Sequence, residues 1–380
     1  MAPLVFELRR RPDQFKVTTC ATAQHRELLD QMLAVFGLQA DIDLNLMRAG
    51  QTLNELSARV LTGIDLVLKQ VCPDWILVQG DTTTVLSSAL AAHHNRVKIG
   101  HVEAGLRTWD RWNPFPEEMN RVLADHLSDL CFAPTEGARE NLLRDGIPET
   151  RIRITGNTVV DALLWARAQP ATDEACRILD ELGFPLEADS TSLDLILVTA
   201  HRRESFGEPL ERICAALKEI VRRGEGALKL VYPVHPNPRV REPVYRLLGQ
   251  EPNIALIEPV NYLTLVSLMQ KSKLILTDSG GIQEEAPSLG VPVLVLRETT
   301  ERPEAVAAGV VKIVGTSEDA IVSETFRLLE DDTAYHAMTR AINPYGDGHA
   351  SERIAQALVG WDRVYEGLLA QRGERDADAR

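Results

Sequence analysis

The sequence predicts an α/β protein built from two consecutive doubly wound, Rossmann-like domains. Three observations carry this prediction. Short, continuously apolar, β-rich runs alternate with longer helical patterns, as parallel strands covered on both faces require. The alternation lapses over a polar stretch, residues 168–192, and restarts at Leu193. The length of 380 residues fits two domains, since one domain takes about 100–200 residues.

The elements follow in order. A helical pattern runs from Pro3 to Arg11, and a strand is expected from Phe15 to Thr19. A doubly wound domain ordinarily opens with a strand whose carboxyl end holds a ligand loop. That strand is missing from the pattern here. Trp75–Gln79 reads as a buried strand, followed by a helix from Thr83 to His94. Val97–Val102 and Leu130–Ala133 are the next strands. Thr135 is a natural N-cap for a helix that stops at Asp145-Gly146, and Ile152–Thr155 closes this half. The second series consists of Leu193–Val198, Lys229–Tyr232, Ile254–Ile257, Leu274–Leu276 and Val293–Leu296. Helices are expected near 208–223, 238–249, 261–270 and 317–330. The domains are expected at 1–165 and 166–350. A final helix over 351–370 should rejoin the first domain, and the charged tail 371–380 should fray.

Composition excludes several function classes. Lys and Arg number 41 against 55 Asp and Glu, a net charge of −14. That balance argues against nucleic-acid polymers and anionic membranes, which want clustered positive charge. No apolar run approaches the roughly 20 residues of a membrane span, and the N-terminus lacks a signal-peptide core. Cys20, Cys72, Cys131, Cys176 and Cys214 are scattered without metal-ligand spacing. Their sparseness fits a reducing compartment, so a cytoplasmic protein without a metal is expected.

In open α/β sheets ligands bind outside the carboxyl ends of the strands. Six predicted strand ends carry polar or charged groups: Asp81, Glu103, His201-Arg202-Arg203, His235, Asp278-Ser279, and Arg297 through Arg302. An inter-domain site is therefore expected. Ser279-Gly280-Gly281 opens a predicted helix, Ile282 to Ser288. Glycines let backbone N–H groups approach an anion, and the helix start adds partial positive charge. Beside Arg202, Arg203, His235 and Arg302 this reads as a nucleotide-diphosphate cradle, with Glu285 placed for ribose hydroxyls. A tight strand–helix turn is the alternative. No GxGxxG motif appears, so a dinucleotide cofactor is not expected.

Pro116-Glu117-Glu118 reads as a helix start, with both acids favoured by the helix dipole. Glu117 and Arg121 stand four residues apart, and the spacing predicts an ion pair that orients Glu117. Asp81, Glu103 and Glu117 could then face one crevice as proton-transfer groups. Asp81 could also cap the helix from Thr83. His93, His94, His126, His336 and His349 have no partner visible in the sequence and read as surface or structural residues. His25 lies at another strand-to-helix junction and is left open.

Together these motifs resemble the non-hydrolysing UDP-N-acetylglucosamine 2-epimerase family. The matching strings are AQHRELLDQ, GDTTT, GHVEAGLRT, PFPEEMNR, GNTVVDALL, TAHRRESFG, VHPNP, the TDSGGIQEEAPSLG segment and NPYGDG, all in family order. The resemblance implies two Rossmann-like domains in a GT-B-type arrangement with the nucleotide in the cleft. It implies interconversion of UDP-GlcNAc and UDP-ManNAc by elimination of UDP to 2-acetamidoglucal and re-addition with inversion at C2. Asp81, Glu103 and Glu117 are then the catalytic carboxylates. Arg121 supports Glu117, and His201 assists at the diphosphate. Ser279, Gly280, Gly281, Glu285, His235, Arg202 and Arg302 hold UDP. No cofactor is implied. Gln24, His25 and Gln51, with Arg202 and His235, match parts of a second, activating UDP-GlcNAc site, although Gly50 stands where Arg is common. A homodimer and a place in cell-surface polysaccharide synthesis are implied as well.

The resemblance departs at the start. The family's opening strand and GTRPE-like loop have no counterpart before Met1. An upstream start codon is the expected explanation, a truncated paralogue the next. The chain as written is expected to be weakly stable or weakly active. Alternatives from other classes are a GT-B glycosyltransferase, a hydrolysing relative, an epimerase of a modified UDP-HexNAc and a degenerate nucleotide-sugar sensor.

Overall fold

The computed structural model describes residues 1–22, 26–48, 50–184 and 193–361. The chain divides into two compact units, one formed by Met1–Ala162 with the described residues from Gly346 onward, the other by Leu163–Tyr345. Both are parallel α/β units of Rossmann type, the fold class expected.

In the first unit a four-stranded parallel sheet runs in the order Trp75–Gln79, Lys98–Val102, Leu130–Ala133, Ile152–Ile154. Its helices cover both faces. The helix Leu53–Val71 begins with a capping box, in which Thr52 accepts from the Glu55 amide and Glu55 accepts from the Thr52 amide. It buries Leu56, Val60, Ile64 and Leu68, spaced four apart, on one stripe. These side chains join Val78, Val85, Ala89, Ala92 and Ile99 in one core. Leu4 and Leu8 of the helix Ala2–Arg9 pack with Val102, Phe132, Ile354 and Leu358 in another. Gly100 is required by close approach, because a Cβ there would stand 2.6 Å from Leu77 Cδ2.

The start of this unit differs from expectation. Residues 15–19 are not a strand; a two-residue strand, Cys20–Ala21, pairs in parallel with Ile42–Asp43. The Thr19 amide and hydroxyl both donate to Asp41 Oδ2 at 2.7 Å, so a side chain takes the bond a ladder would need. Among the described residues no strand hydrogen-bonds this pair to the Trp75 sheet.

The second unit has one six-stranded parallel sheet. Its order is Val311–Ile313, Val293–Val295, Leu274–Thr277, Asp194–Thr199, Leu228–Pro233, Ile254–Ile257. Counted along the unit this is 6-5-4-1-2-3, the dinucleotide-fold order with its switch point between the two central strands. Those strands, Asp194–Thr199 and Leu274–Thr277, are buried almost throughout. The edge strand Val311–Ile313 is absent from the sequence expectation; three residues are too few to show a period. The helix expected over 282–288 instead runs from Gly280 to Glu285 and tightens into a 3-10 turn, Ala286–Leu289. Pro287 has no N–H to continue the α-helical ladder.

Candidate active site

In the first unit the carboxyl ends of two adjacent strands carry acids. Gly80, with φ +81°, turns the chain after Gln79, and Asp81 follows. Asp81 does not cap the next helix; Thr82 does, accepting from the Val85 amide. The cap role expected as an alternative for Asp81 is therefore filled by its neighbour. Glu103 sits just past Val102 in the left-handed region, φ +66°. Gln79 Nε2 donates to Glu103 Oε2 at 3.4 Å and to Thr158 Oγ1 at 3.1 Å. Burial raises the pKa of Asp81; Arg121 lowers it, and the charges of Glu103 and Glu117 raise it further. Two carboxylates, Glu103 and Glu117, thus lie within electrostatic reach of Asp81, and the desolvated Asp81 holds its proton more readily than an ordinary aspartate.

The helix Glu117–Leu127 turns a polar face inward: Glu118, Asn120, Arg121 and Asp125 are all buried. Here the predicted Glu117–Arg121 pair must be corrected. Arg121 instead pairs with Glu118, Nη2 at 2.8 Å and Nε at 2.9 Å, and reaches Asp81 at 3.5 Å. The reason lies in Glu118. Its oxygens accept from the Thr108 amide at 3.1 Å and the Trp109 amide at 2.9 Å, which draws it inside. The guanidinium follows the buried carboxylate rather than the half-buried one. Arg121 therefore lies against Glu118 and Asp81 rather than pairing with Glu117.

Behind these acids lies a buried ionic cluster that the motifs did not reveal. His101 Nδ1 is 2.6 Å from Asp125 Oδ1, and His101 Nε2 is 2.7 Å from the Gly80 carbonyl oxygen. Arg107 donates to Asp125 Oδ2 and to Asp145 Oδ2, each at 2.7 Å. The signal was available: Glu118, Arg121 and Asp125 are spaced three and then four residues apart, a polar stripe where an apolar one is the rule.

The second unit gathers cations at its switch point. The buried Asp278 carboxylate accepts from the His201 and Arg202 amides, both at 2.7 Å, and lies 3.5 Å from His201 Nδ1. Thr199 and Thr277, ending the two central strands, are joined through their hydroxyls at 2.6 Å. His201 stacks on His235, centroids 5.3 Å apart and planes 11° apart. Burial depresses the His201 pKa, with Asp278 opposing and His235 and Arg202 adding to the depression. Ser279 occupies the N-cap position of the Gly280–Glu285 helix without a side-chain cap bond, and Gly280 and Gly281 are its first residues. A Cβ on Gly280 would stand 3.7 Å from Arg202 Nη2, 3.7 Å from Glu301 Oε2 and 3.8 Å from Arg302 Nη2. Arg302 pairs with the buried Glu284, and Arg297 with Glu204. Arg202 Nε, Arg297 Nη1 and Asp278 Oδ1 are buried without a hydrogen bond. Tyr262 donates to Glu285 Oε1 at 2.6 Å. Burial, with Glu284 nearby and Tyr262 opposing, pushes Glu285 up to about 7.

Of the residues expected at an activating site, Gln24 and His25 lie outside the described residues. Gln51 precedes the helix Leu53–Val71 and accepts from Arg59 Nη1 at 3.1 Å.

A sequence profile of the UDP-N-acetylglucosamine 2-epimerases matches residues 7–359. The chain belongs to the UDP-N-acetylglucosamine 2-epimerase family. It is 53% identical over 358 residues to UDP-N-acetylglucosamine 2-epimerase of Salmonella typhimurium, with 94% of each chain covered. Against the Escherichia coli K12 enzyme the identity is 54% over 359 residues, again with 94% of each covered. A crystal structure of Neisseria meningitidis UDP-GlcNAc 2-epimerase bound to UDP-GlcNAc superposes with a TM-score of 0.83 at 45% identity, covering 95% of this chain and 96% of that one. Membership makes the chain an isomerase with UDP-GlcNAc 2-epimerase activity. No described helix is long and apolar enough to cross a membrane.

Proposed function

We propose that the chain interconverts UDP-GlcNAc and UDP-ManNAc by elimination and re-addition. The C2 proton has no adjacent carbonyl, so a free carbanion is too costly. Elimination avoids one. A carboxylate of the first unit takes the C2 proton, the C2–H electrons form the C1–C2 double bond, and the C1–O bond breaks with its electrons leaving on UDP. UDP then adds back at C1 while a carboxyl group delivers a proton to the opposite face of C2. Asp81, Glu103 and Glu117 carry the proton transfers, and Arg121 holds Asp81.

In the second unit Ser279, Gly280, Gly281, Arg202, His235 and Arg302 bind UDP, and Glu285 accepts from the ribose hydroxyls. The unbonded Arg202 Nε and Arg297 Nη1 favour an anion there. The depressed His201 is neutral at physiological pH and donates to the departing phosphate oxygen. The observation that carries the reading is the desolvated Asp81 within reach of Glu103 and Glu117.

Incubation with UDP-GlcNAc in deuterated water tests it. UDP-ManNAc with deuterium at C2 is the expected product. Free ManNAc with UDP would mean hydrolysis, and binding without turnover would mean a sensor. By the same family reading the chain is a cytoplasmic homodimer, which light scattering in solution checks.

A further inference from the structure

We infer that His101 works as a buried imidazolium clamp, organised by Asp125, which positions Asp81 and Glu103 relative to each other for proton transfer. The inference rests on the reading of those two acids as the proton-transfer groups.

Both nitrogens of the His101 ring face acceptors. One meets the Asp125 carboxylate and the other the Gly80 carbonyl oxygen. A carbonyl oxygen cannot donate, and the Asp125 carboxylate is already held as an anion by Arg107. A neutral ring would leave one nitrogen lone pair against an acceptor, with no solvent to relieve it, since His101 is 0% exposed. Only the doubly protonated ring satisfies both contacts. Burial disfavours the charge, but Asp125, the Gly80 carbonyl and the more distant Glu103 outweigh it, and the His101 pKa is raised.

The clamp reaches both acids through the backbone. The Gly80 carbonyl lies immediately before Asp81, and the Asp81 carbonyl is bonded on its other side by Asn120 Nδ2 at 2.9 Å. His101 is two residues before Glu103 on the adjacent strand, and Asp125 also fixes the loop after Glu103. It accepts from the Gly105 amide at 3.2 Å and from Arg107 at 2.7 Å. One carboxylate, on the helix that carries Glu117 and Arg121, therefore ties down the turns holding two acids. The charge of His101 also acts on Asp81 directly, lowering its pKa against the opposing effects of Glu103 and Glu117. His101 and Asp125 are positioning residues, because neither is proposed to meet substrate.

His101→Gln tests both functions. Glutamine can still donate to the Gly80 carbonyl but carries no charge. We expect kcat to fall about 10- to 100-fold, as a small misplacement of reacting groups does, with UDP affinity unchanged. The limb of the pH–rate profile belonging to Asp81 should move to higher pH, because the cation that lowers its pKa is gone. The other charged groups facing the clamp, Asp125, Arg107 and Glu103, remain in place. An unchanged kcat and profile would overturn the inference. So would a loss of kcat and UDP binding in equal proportion to a loss of folded protein. Asp125→Asn, which removes the hub, should reproduce the fall in kcat.

Should both variants fail to fold, the ¹⁵N shifts of His101 in the unaltered protein decide. Both ring nitrogens protonated at neutral pH, where an ordinary histidine is mostly neutral, supports the clamp; a neutral tautomer overturns it. Asp81→Asn run in parallel separates the two ideas. If that variant still exchanges the C2 proton, the reading of Asp81 fails. If it is dead while His101→Gln is fully active, only the clamp fails.

Discussion

The two units carry their polar residues at the same structural position, the carboxyl ends of parallel strands, but settle them in opposite ways. In the first unit the buried cations are matched to anions: Arg121 to Glu118 and Asp81, Arg107 to Asp125 and Asp145. In the second unit Arg302 and Arg297 are also paired, with Glu284 and Glu204, but Arg202 Nε, Arg297 Nη1 and Asp278 Oδ1 carry no hydrogen bond. An unmet buried polar atom costs about 1–3 kcal/mol, so a fold tolerates several in one place only when something repays them. The first arrangement fixes carboxylates and raises the proton affinity of Asp81, which suits chemistry. The second leaves two guanidinium donors, Arg202 Nε and Arg297 Nη1, open along with the acceptor Asp278 Oδ1, and the two donors suit holding an anion.

The largest effect that could break this division is on rate. Asp81→Asn should lower the C2 exchange rate by about 10²–10⁴-fold, the range for loss of a general acid or base. UDP affinity, measured by calorimetry, should stay within about twofold, since a loss of 1.4 kcal/mol would already be tenfold. A parallel loss of UDP binding would show that Asp81 is structural and that the two sites do not divide the work.

The next effect is on binding. Arg202→Ala removes a guanidinium that borders Gly280 and has an unbonded buried nitrogen. Charge-assisted hydrogen bonds contribute about 1.5–3 kcal/mol, so the Kd for UDP should rise about 10- to 100-fold. Arg302→Ala should weaken UDP as well, but it also removes an ion pair from the buried Glu284. It should therefore also lower the melting temperature, which Arg202→Ala should not. Equal melting losses in the two variants would erase the distinction between an open cation and a matched one.

What the sequence made legible follows the same line. Strands such as Leu130–Ala133 and Leu274–Thr277, buried on both faces, are continuous apolar runs and stand out at once. The helices Thr83–His94 and Glu208–Arg223 were equally plain as helical patterns, although the cap of the first is Thr82 rather than Asp81 and the second starts behind Gly207 without a side-chain cap. Two- and three-residue strands at Cys20–Ala21 and Val311–Ile313 have no period to read, because pairing alone defines them. Acids on strand ends were legible as types, but their partners were not. Arg121 has candidates at both i−4 and i−3, and only the Thr108 and Trp109 amides, brought in by the fold, select Glu118. His101 lay inside a recognised motif and still passed unassigned. Its role depends on Gly80 and Asp125, which are 21 and 24 residues away.

The smallest effect tests whether Glu285 belongs with the open site or the settled one. It has a partner, Tyr262, yet burial holds its pKa near 7. Just below that pH the free protein keeps a proton on it. Ribose hydroxyls are donors, and they favour the carboxylate. Binding of UDP should therefore release a fraction of one proton below pH 7 and none well above it, and affinity should rise with pH up to about 7 and then level. Calorimetry in two buffers of different ionisation enthalpy reads the proton count directly. For the free protein the sign is reversed. A raised carboxyl pKa adds stability that is complete below the ordinary value of 4.5 and is lost as pH rises through 7. Glu285→Gln should flatten that decline and abolish the proton release together. Release that persists in the variant would assign the proton to another group, with His201 taking up rather than releasing one as its diphosphate partner arrives. The sign of the exchange then says which of the two residues the nucleotide actually titrates.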